Sequence, residues 1–426
     1  MQISGKTAAD SVALFGERIE PKTLPQGYWA FNGGAFGIHR YQDKMVTMKA
    51  YNSNVWSSEI YYRNNRYGRY QSHGAVQIVP YGKQADIGFV EAGWDWNRNP
   101  GATTIHLPLE QLESPNTHTL MLRGNQPFSG ASSLDGKYGM FAFKHQAPSK
   151  AKFDSSFTMR KTTFSADNKL VMLGSDINSS RDGFNTETTL FQHAITAQAH
   201  SIWVNGKEIT ALPYQTTLAK GDWLIDGQGN GYLLVSDSEL EVRRQHQKSA
   251  HNQNKQATEG DFTVAWLNHG DAPDDADYEY LIILDATPAS MTALAADLVA
   301  GNKPYTVLRK DKTAHVVYDK ASQTTAYAAF DGTSFTDSLV VSMSKPSIVM
   351  TKQVSDDLIT ISGVTPDLNM TRYTAAKPTT VPVTIAGLWQ VVEENDQVSV
   401  KTNGTNTELS FTSYFGMPQQ VTLKKQ

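Results

Sequence analysis

From about residue 28 onward the chain alternates between short β-prone apolar runs and polar turn signals, roughly every 8–12 positions. GAVQIVPYG, TTIHLPL, GMFAFKH, LVMLGSDI, HSIWVNGKEI, GDWLIDGQGNGYLLVS and YEYLIILDA are runs of this kind. The spacing predicts an all-β fold built as an antiparallel sandwich. VNGK at 204–207 and DGQGNG at 226–231 predict tight hairpins, because Asn-Gly pairs accept the positive φ that such turns require. Two segments read as helices instead. TAADSVALFGERI (7–19) is short and stopped by Pro21 and Pro25. TPASMTALAADLVAGNK (287–303) has a Thr cap, apolar residues three or four apart and a Gly stop. HQKSAHNQNKQATEGD (246–261) is polar throughout and is expected to form a long exposed loop.

A chain of 426 residues is too long for one compact core, so two or three domains are expected. The second helix marks the boundary. Before it lie a short helical N-terminal segment (1–27) and a large central β-sandwich (28–303). After it YTVLRK, AHVVYD, TTAYAAF, SIVMTK, DLITISGV, VPVTIAG and ELSFTSYFG predict a smaller C-terminal β-sandwich (304–426). No internal repeat is evident.

Composition narrows the chemistry. Hydrophobic residues make up 39% and aromatics 10%, which is globular. A formal charge of −4 argues against nucleic-acid binding through an overall field, so any polyanion site must be a local patch. Cysteine is absent, which removes disulfides and thiolate metal sites. No apolar run reaches the roughly 18 residues of a membrane span. The first residues lack the basic segment and apolar core of a signal peptide, so either the chain stays inside the cell or its true beginning is missing. HExxH, P-loop and nucleophile-elbow motifs are also missing.

The stretch NVWSSEIYYRNNRYGRYQSHG (54–74) gathers Arg63, Arg66, Arg69, His73 and four tyrosines behind one carboxylate, Glu59. Cations give anionic ligands charge-assisted hydrogen bonds, and tyrosines offer flat faces with polar tips. A long polyanion with sugar rings would use both; an ordinary exposed hairpin would need neither. Alternation from Val55 places Glu59, Tyr61 and Arg63 on one face before Asn64-Asn65 turns the chain. A carboxylate among arginines suits orienting a cation better than shuttling a proton. WDWNRNPGATT (94–104) offers either a tryptophan sugar platform or a packed sandwich corner. DAPDDADYEY (271–280) could hold calcium but fits no standard loop and reads equally as a solvated turn. His193 in ETTLFQHAI is expected to be a satisfied core residue, and GQGNG a turn without a dinucleotide-binding βαβ unit around it.

These motifs resemble polysaccharide lyase family 8. The family pattern of a Glu followed by Asn, Gly, Tyr and Gly is matched by Glu59, Asn65, Gly68, Tyr70 and Gly74. Its Asp-Trp and Pro-Gly-x-Thr-Thr element is matched by Asp95, Trp96, Pro100, Gly101, Thr103 and Thr104. WSSEIY, NRYGRYQSHG, EAGWDWNR, ETTLFQHAI and the closing TPDLNMTR and NTELSFTSYFGMPQ are similar to the branch that cleaves chondroitin sulfate. The resemblance implies a central super-sandwich followed by a C-terminal sandwich. It implies β-elimination on sulfated glycosaminoglycan with Glu59 catalytic, and the cation and tyrosine strip beside it gives Asn65, Arg66, Arg69, Tyr70 and His73 as the expected substrate-binding residues. Family members draw a His, a Tyr and an Arg from a helical toroid domain, of which residues 1–27 would be a remnant. The resemblance therefore implies a helical partner in cis or trans, a secreted or periplasmic parent enzyme, no cofactor, and neither nucleic acid nor membrane as partner.

Overall fold

The computed structural model describes residues 24–80, 87–115, 118, 120–150, 153–196, 200–371 and 374–426. The helix expected at 7–19 lies outside the described residues. Among them strands dominate the regular structure and every strand pairing is antiparallel.

The centre is a nine-stranded sheet. Its order is Lys207–Ile209, Ile202–Val204, Trp223–Ile225, Gly231–Leu234, Ala276–Ile283, Lys169–Asn178, Thr158–Ala166, Tyr138–Gln146 and Ser129–Leu134. One face packs on a five-stranded sheet, ordered Tyr214–Leu218, Glu239–Ala250, Ala257–Asp271, Asn185–Ala194 and Thr103–Ile105, through Met172, Tyr280, Leu240 and Leu267. A four-stranded sheet, Gly27–Phe31, Phe36–Tyr41, Lys44–Lys49 and Ala75–Val79, joins the same core through Met48 and Val76. The other face buries Phe164, Leu281 and Val171 against Val317, Ala328 and Ile348. Those last three belong to a seven-stranded C-terminal sheet, ordered Tyr305–Lys310, Ala314–Asp319, Thr324–Ala329, Ser347–Ser355, Leu358–Val364, Gln419–Lys425 and Trp389–Val391.

The central sheet thus has no solvent face. This explains why LVMLGSDI and YEYLIILDA are nearly continuous apolar runs where a half-exposed strand would alternate. The seven-stranded sheet is also covered twice, since Ile359, Ile361 and Val349 meet Val383, Leu409 and Phe411 of a five-stranded outer sheet. Four β-layers therefore stack in succession.

The 287–303 helix forms over Pro288–Val299, with Thr287 and Ser290 completing a reciprocal cap and Met291 buried at its root. VNGK closes a hairpin with Asn205 at φ 45° and Gly206 at φ 84°. The loop expected at 246–261 is instead the end of a long hairpin, Glu239–Ala250 paired with Ala257–Asp271, and only 251–256 turn. Its polar side chains carry the contacts. Gln247 donates to Gly93 O at 3.0 Å and Ser249 to Trp94 O, so hydrogen bonds hold a face that hydrophobicity does not mark.

Candidate active site

Glu59 stands on a two-residue strand, Glu59–Ile60, paired with Leu120–Met121. Ile60 anchors it: the side chain is fully buried with Leu120 and Leu122. Ser57 N donates to Leu122 O at 2.8 Å, and Tyr61 and Asn65 exchange backbone bonds of 3.3 and 3.2 Å. The turn therefore spans Tyr62–Asn64 and comes earlier than alternation predicts. Arg63 sits in it, bonding its neighbour Tyr62 OH at 2.9 Å, instead of sharing a strand face with Glu59. Asn65 Nδ2 donates to Glu59 O at 2.8 Å and to Gln71 Oε1 at 3.1 Å, fixing the backbone behind the carboxylate. The Glu59 side chain is exposed and makes no ion pair among the described residues.

The second half of the stretch turns inward. Arg66, Arg69, Tyr70 and His73 are 8%, 2%, 4% and 3% exposed, where the sequence leads one to expect an open basic strip. Arg66 pairs with Glu113 at 3.2 Å and donates to Gln253 O at 3.0 Å. Arg69 donates to Gln111 O and Glu113 O at 3.0 and 3.2 Å, and lies 4.2 Å over Phe153. Burial alone would raise the Glu113 carboxyl, but Lys255 and Arg66 hold it below its usual range. Tyr70 OH donates to Ile105 O at 2.9 Å. His73 sits in an aromatic nest with Tyr51, Tyr70 and His145, ring centroids 5.1, 5.0 and 4.9 Å away. Desolvation pushes both histidines down, His145 to about 3. The physical reason is that internal carbonyls and one carboxylate already engage the terminal guanidinium nitrogens of Arg66 and Arg69, which ties the loop under Glu59 to its neighbours. Gly68 is required because a Cβ there would collide with the Asn65 side chain. Gly74, at φ 74°, approaches Lys161.

The second motif clamps the first. Trp94 and Trp96 are buried, and Trp96 Nε1 donates to Ala250 O at 2.9 Å, so both pack the corner and offer no platform. Arg98 grips Glu187 with two bonds of 2.8 and 2.9 Å, reaches Asp95 at 3.1 Å and stacks 3.7 Å over Trp266. His106 Nδ1 meets Glu187 at 3.0 Å; burial lowers its pKa, but the Glu187 hydrogen bond and the Asp95 charge outweigh it and the net shift is upward. Lys161, fully buried, donates to Gly74 O at 2.7 Å and also to Gly101 O, tying the two motifs together; burial pushes it down to about 7. The hairpin tip completes the frame: Asn252 accepts from Tyr67 N at 2.9 Å and donates to Asn65 at 3.3 Å.

Sequence reasoning did not single out Glu187, His106, Asn252 or Lys161. Glu187 opens the quoted ETTLF and could have been paired with Arg98; nothing in the pattern around Lys161 or Asn252 marks them. His193 is buried as expected, although its Nδ1 has no hydrogen-bond partner. In the acidic 271–280 run, Asp271 caps the backbone of Gly183 and Phe184, and the described residues contain no His/Asp/Glu cluster arranged for a metal.

The arrangement presents one unpaired carboxylate on a stiff base, without an acid–base partner among the neighbours described. Comparison with known proteins gives this a context. Residues 26–295 match the polysaccharide lyase family 8 super-sandwich domain and residues 306–363 its C-terminal β-sandwich domain. The chain is 56% identical to a chondroitin sulfate ABC endolyase of Proteus vulgaris over 99% of its own length and 41% of that protein's. A chondroitin sulfate ABC exolyase of the same organism is 36% identical over 83% of this chain and 36% of the relative. The chain thus spans about two fifths of the curated relatives it matches. Among solved structures, a Paenibacillus xanthan lyase superimposes with a TM-score of 0.80 at 18% identity, over 98% of this chain and 39% of that one, which shows the shared fold. By both of its domains, the chain belongs to polysaccharide lyase family 8.

Proposed function

We propose that this chain is the β portion of a lyase that cleaves chondroitin and dermatan sulfate, with hyaluronan as a further substrate. The observation that carries the reading is Glu59, held exposed and unpaired on a ribbon whose base is locked by two motifs. The relatives named above act, by their names, on chondroitin sulfate. In this reading a base removes the C5 proton of a uronic acid and the C4–O bond breaks. A C4=C5 double bond forms, and the departing oxygen takes up a proton. Charge gathers on the uronate carboxyl during proton removal and must be met by placed donors. Glu59 would orient an arginine and a tyrosine supplied by a helical domain, in cis or trans, across the cleft. Calcium is not invoked. The parent enzyme would act outside the cytoplasm, where such polymers are found.

Two measurements test this. Expressed alone, the 426-residue chain should yield no ultraviolet-absorbing unsaturated product from chondroitin sulfate, because loss of a general base alone costs about 10²–10⁴-fold. Supplied with a helical domain of the family, it should turn over, and Glu59→Gln should lower kcat by about 30- to 1,000-fold with little change in KM. Full turnover by a folded Glu59→Gln variant would remove Glu59 from the reaction.

A further inference from the structure

The tryptophans expected to serve as a sugar platform, Trp94 and Trp96, are buried. The chain has eight tryptophans, and Trp56 alone among them is exposed, at 45%. It lies three residues before Glu59, so the extended chain places the two within about 10 Å. The ribbon that fixes Glu59 also fixes its neighbour: Ser57 N is bonded to Leu122 O, and Glu59 pairs with Met121. Arg123, two residues beyond Met121, lies over the Trp56 ring at 5.4 Å from guanidinium carbon to centroid. Among the described residues its one hydrogen bond is a long 3.5 Å approach to Ser53 O, and no carboxylate pairs with it. Arg66, Arg98 and Arg160, by contrast, each hold a carboxylate.

An exposed indole beside an arginine with no internal anion leaves both an aromatic face and a cation available to a ligand. A sugar ring bearing a negative group suits both. Its C–H face lies flat on the aromatic plane, and its sulfate or carboxylate meets the guanidinium. We propose that Trp56 and Arg123 form a binding platform for an acidic sugar of the polymer immediately beside Glu59. This deepens the lyase reading and rests on it. Trp56 and Arg123 are positioning residues: they seat the chain so that one uronic acid is presented at Glu59, and neither touches the reacting atoms.

The test is binding of a fluorescently labelled chondroitin sulfate hexasaccharide to the 426-residue chain at low salt, with neutral cellohexaose as the control. Trp56→Ala is expected to weaken hexasaccharide binding about tenfold and Trp56→Phe by less, as a stacking contact requires. Arg123→Ala should weaken it about three- to tenfold and flatten its salt dependence, with Arg123→Lys keeping part of the effect. Both side chains are outside the cores, so melting temperatures should stay at the wild-type value, separating lost binding from lost folding. Unchanged affinity in Trp56→Ala and Arg123→Ala overturns the platform. Equal binding of cellohexaose overturns the role of Arg123, and no binding by the wild-type chain overturns the whole proposal. None of these results decides the lyase reading, which stands or falls on product formation by the chain joined to a helical domain.

Discussion

Residues 56–65 and 66–74 adjoin in sequence and both carry arginine and tyrosine, yet their fates are opposite. The first half stays on the surface, with Trp56 and Glu59 exposed and Arg63 turned to solvent. Most of the second half is buried beneath it, where the terminal nitrogens of Arg66 and Arg69 bond to Glu113, Gln111 and Gln253. The contrast separates display from scaffold within a single motif. A cation whose hydrogen bonds are filled by main-chain carbonyls is a strut, whereas one without an internal anion is available to a ligand.

The sharpest way to break this contrast is Arg69→Ala. If the buried half is scaffold, the change strands two carbonyls and removes the stack on Phe153, and the chain should lose about 3 kcal/mol of stability. Urea unfolding monitored by far-ultraviolet circular dichroism measures it. Loss of glycosaminoglycan binding with wild-type stability would instead return Arg69 to the ligand surface.

Next in size is acid sensitivity. His145 is pressed down to about 3 by desolvation, from an ordinary value of 6.5, and His73 well below that ordinary value. A depressed folded pKa means that the unfolded chain binds the proton first. Stability from these rings is complete above pH 6.5 and is lost as pH falls from there toward 3. Each ring contributes a slope of up to about 1.4 kcal/mol per pH unit in that window. His145→Phe should flatten the fall by about that amount between pH 6 and 4.5. Parallel profiles for the two proteins would show that the ring is protonated without cost.

Much of the sandwich was legible because the signals are local. Apolar runs, Asn-Gly turns and the capped helix at 288–299 each report on a few adjacent residues. The 246–261 hairpin was not legible, since its strands are held by Gln247, Ser249 and Asn252 bonding to segments more than 150 residues away. The same holds at the site. Glu59 could be singled out as the one carboxylate of its stretch, but its pairing with Met121 and the burial of Arg66, Arg69, Tyr70 and His73 depend on the 120–122 and 105–113 segments and the hairpin tip. Local alternation carries no record of such partners. Trp56 illustrates the reverse: in sequence it looks no different from Trp94 and Trp96, and only the fold makes it exposed and them buried.

The hairpin tip gives a smaller effect. Asn252 accepts from Tyr67 N and donates to Asn65, bridging the sealed half to the displayed half. Asn252→Ala leaves a main-chain donor without its partner and should cost about 1 kcal/mol. It should also loosen Asn65, and with it the backbone of Glu59. A drop in kcat larger than the stability loss explains, in the enzyme joined to its helical domain, would identify Asn252 as a positioning residue. Equal turnover per folded molecule would confine it to the scaffold.

The smallest expected effect is the most discriminating. Glu59→Gln keeps the shape of the side chain and touches no ion pair among the described residues, while Ile60 and the Leu120–Met121 pairing hold the ribbon in place. The ribbon should not notice the change, and stability should move by less than about 0.5 kcal/mol. Asn65 bonds the Glu59 main-chain carbonyl, so the turn itself does not depend on the carboxylate. On this reading Glu59 is free of the fold, in contrast to Arg69, whose bonds to Gln111 O and Glu113 O tie it into the scaffold. Thermal unfolding of Glu59→Gln beside Arg69→Ala, in one buffer, puts the two halves of the motif on a single scale. If Glu59→Gln unfolds as readily as Arg69→Ala, the carboxylate is part of the scaffold after all and the division between display and strut fails.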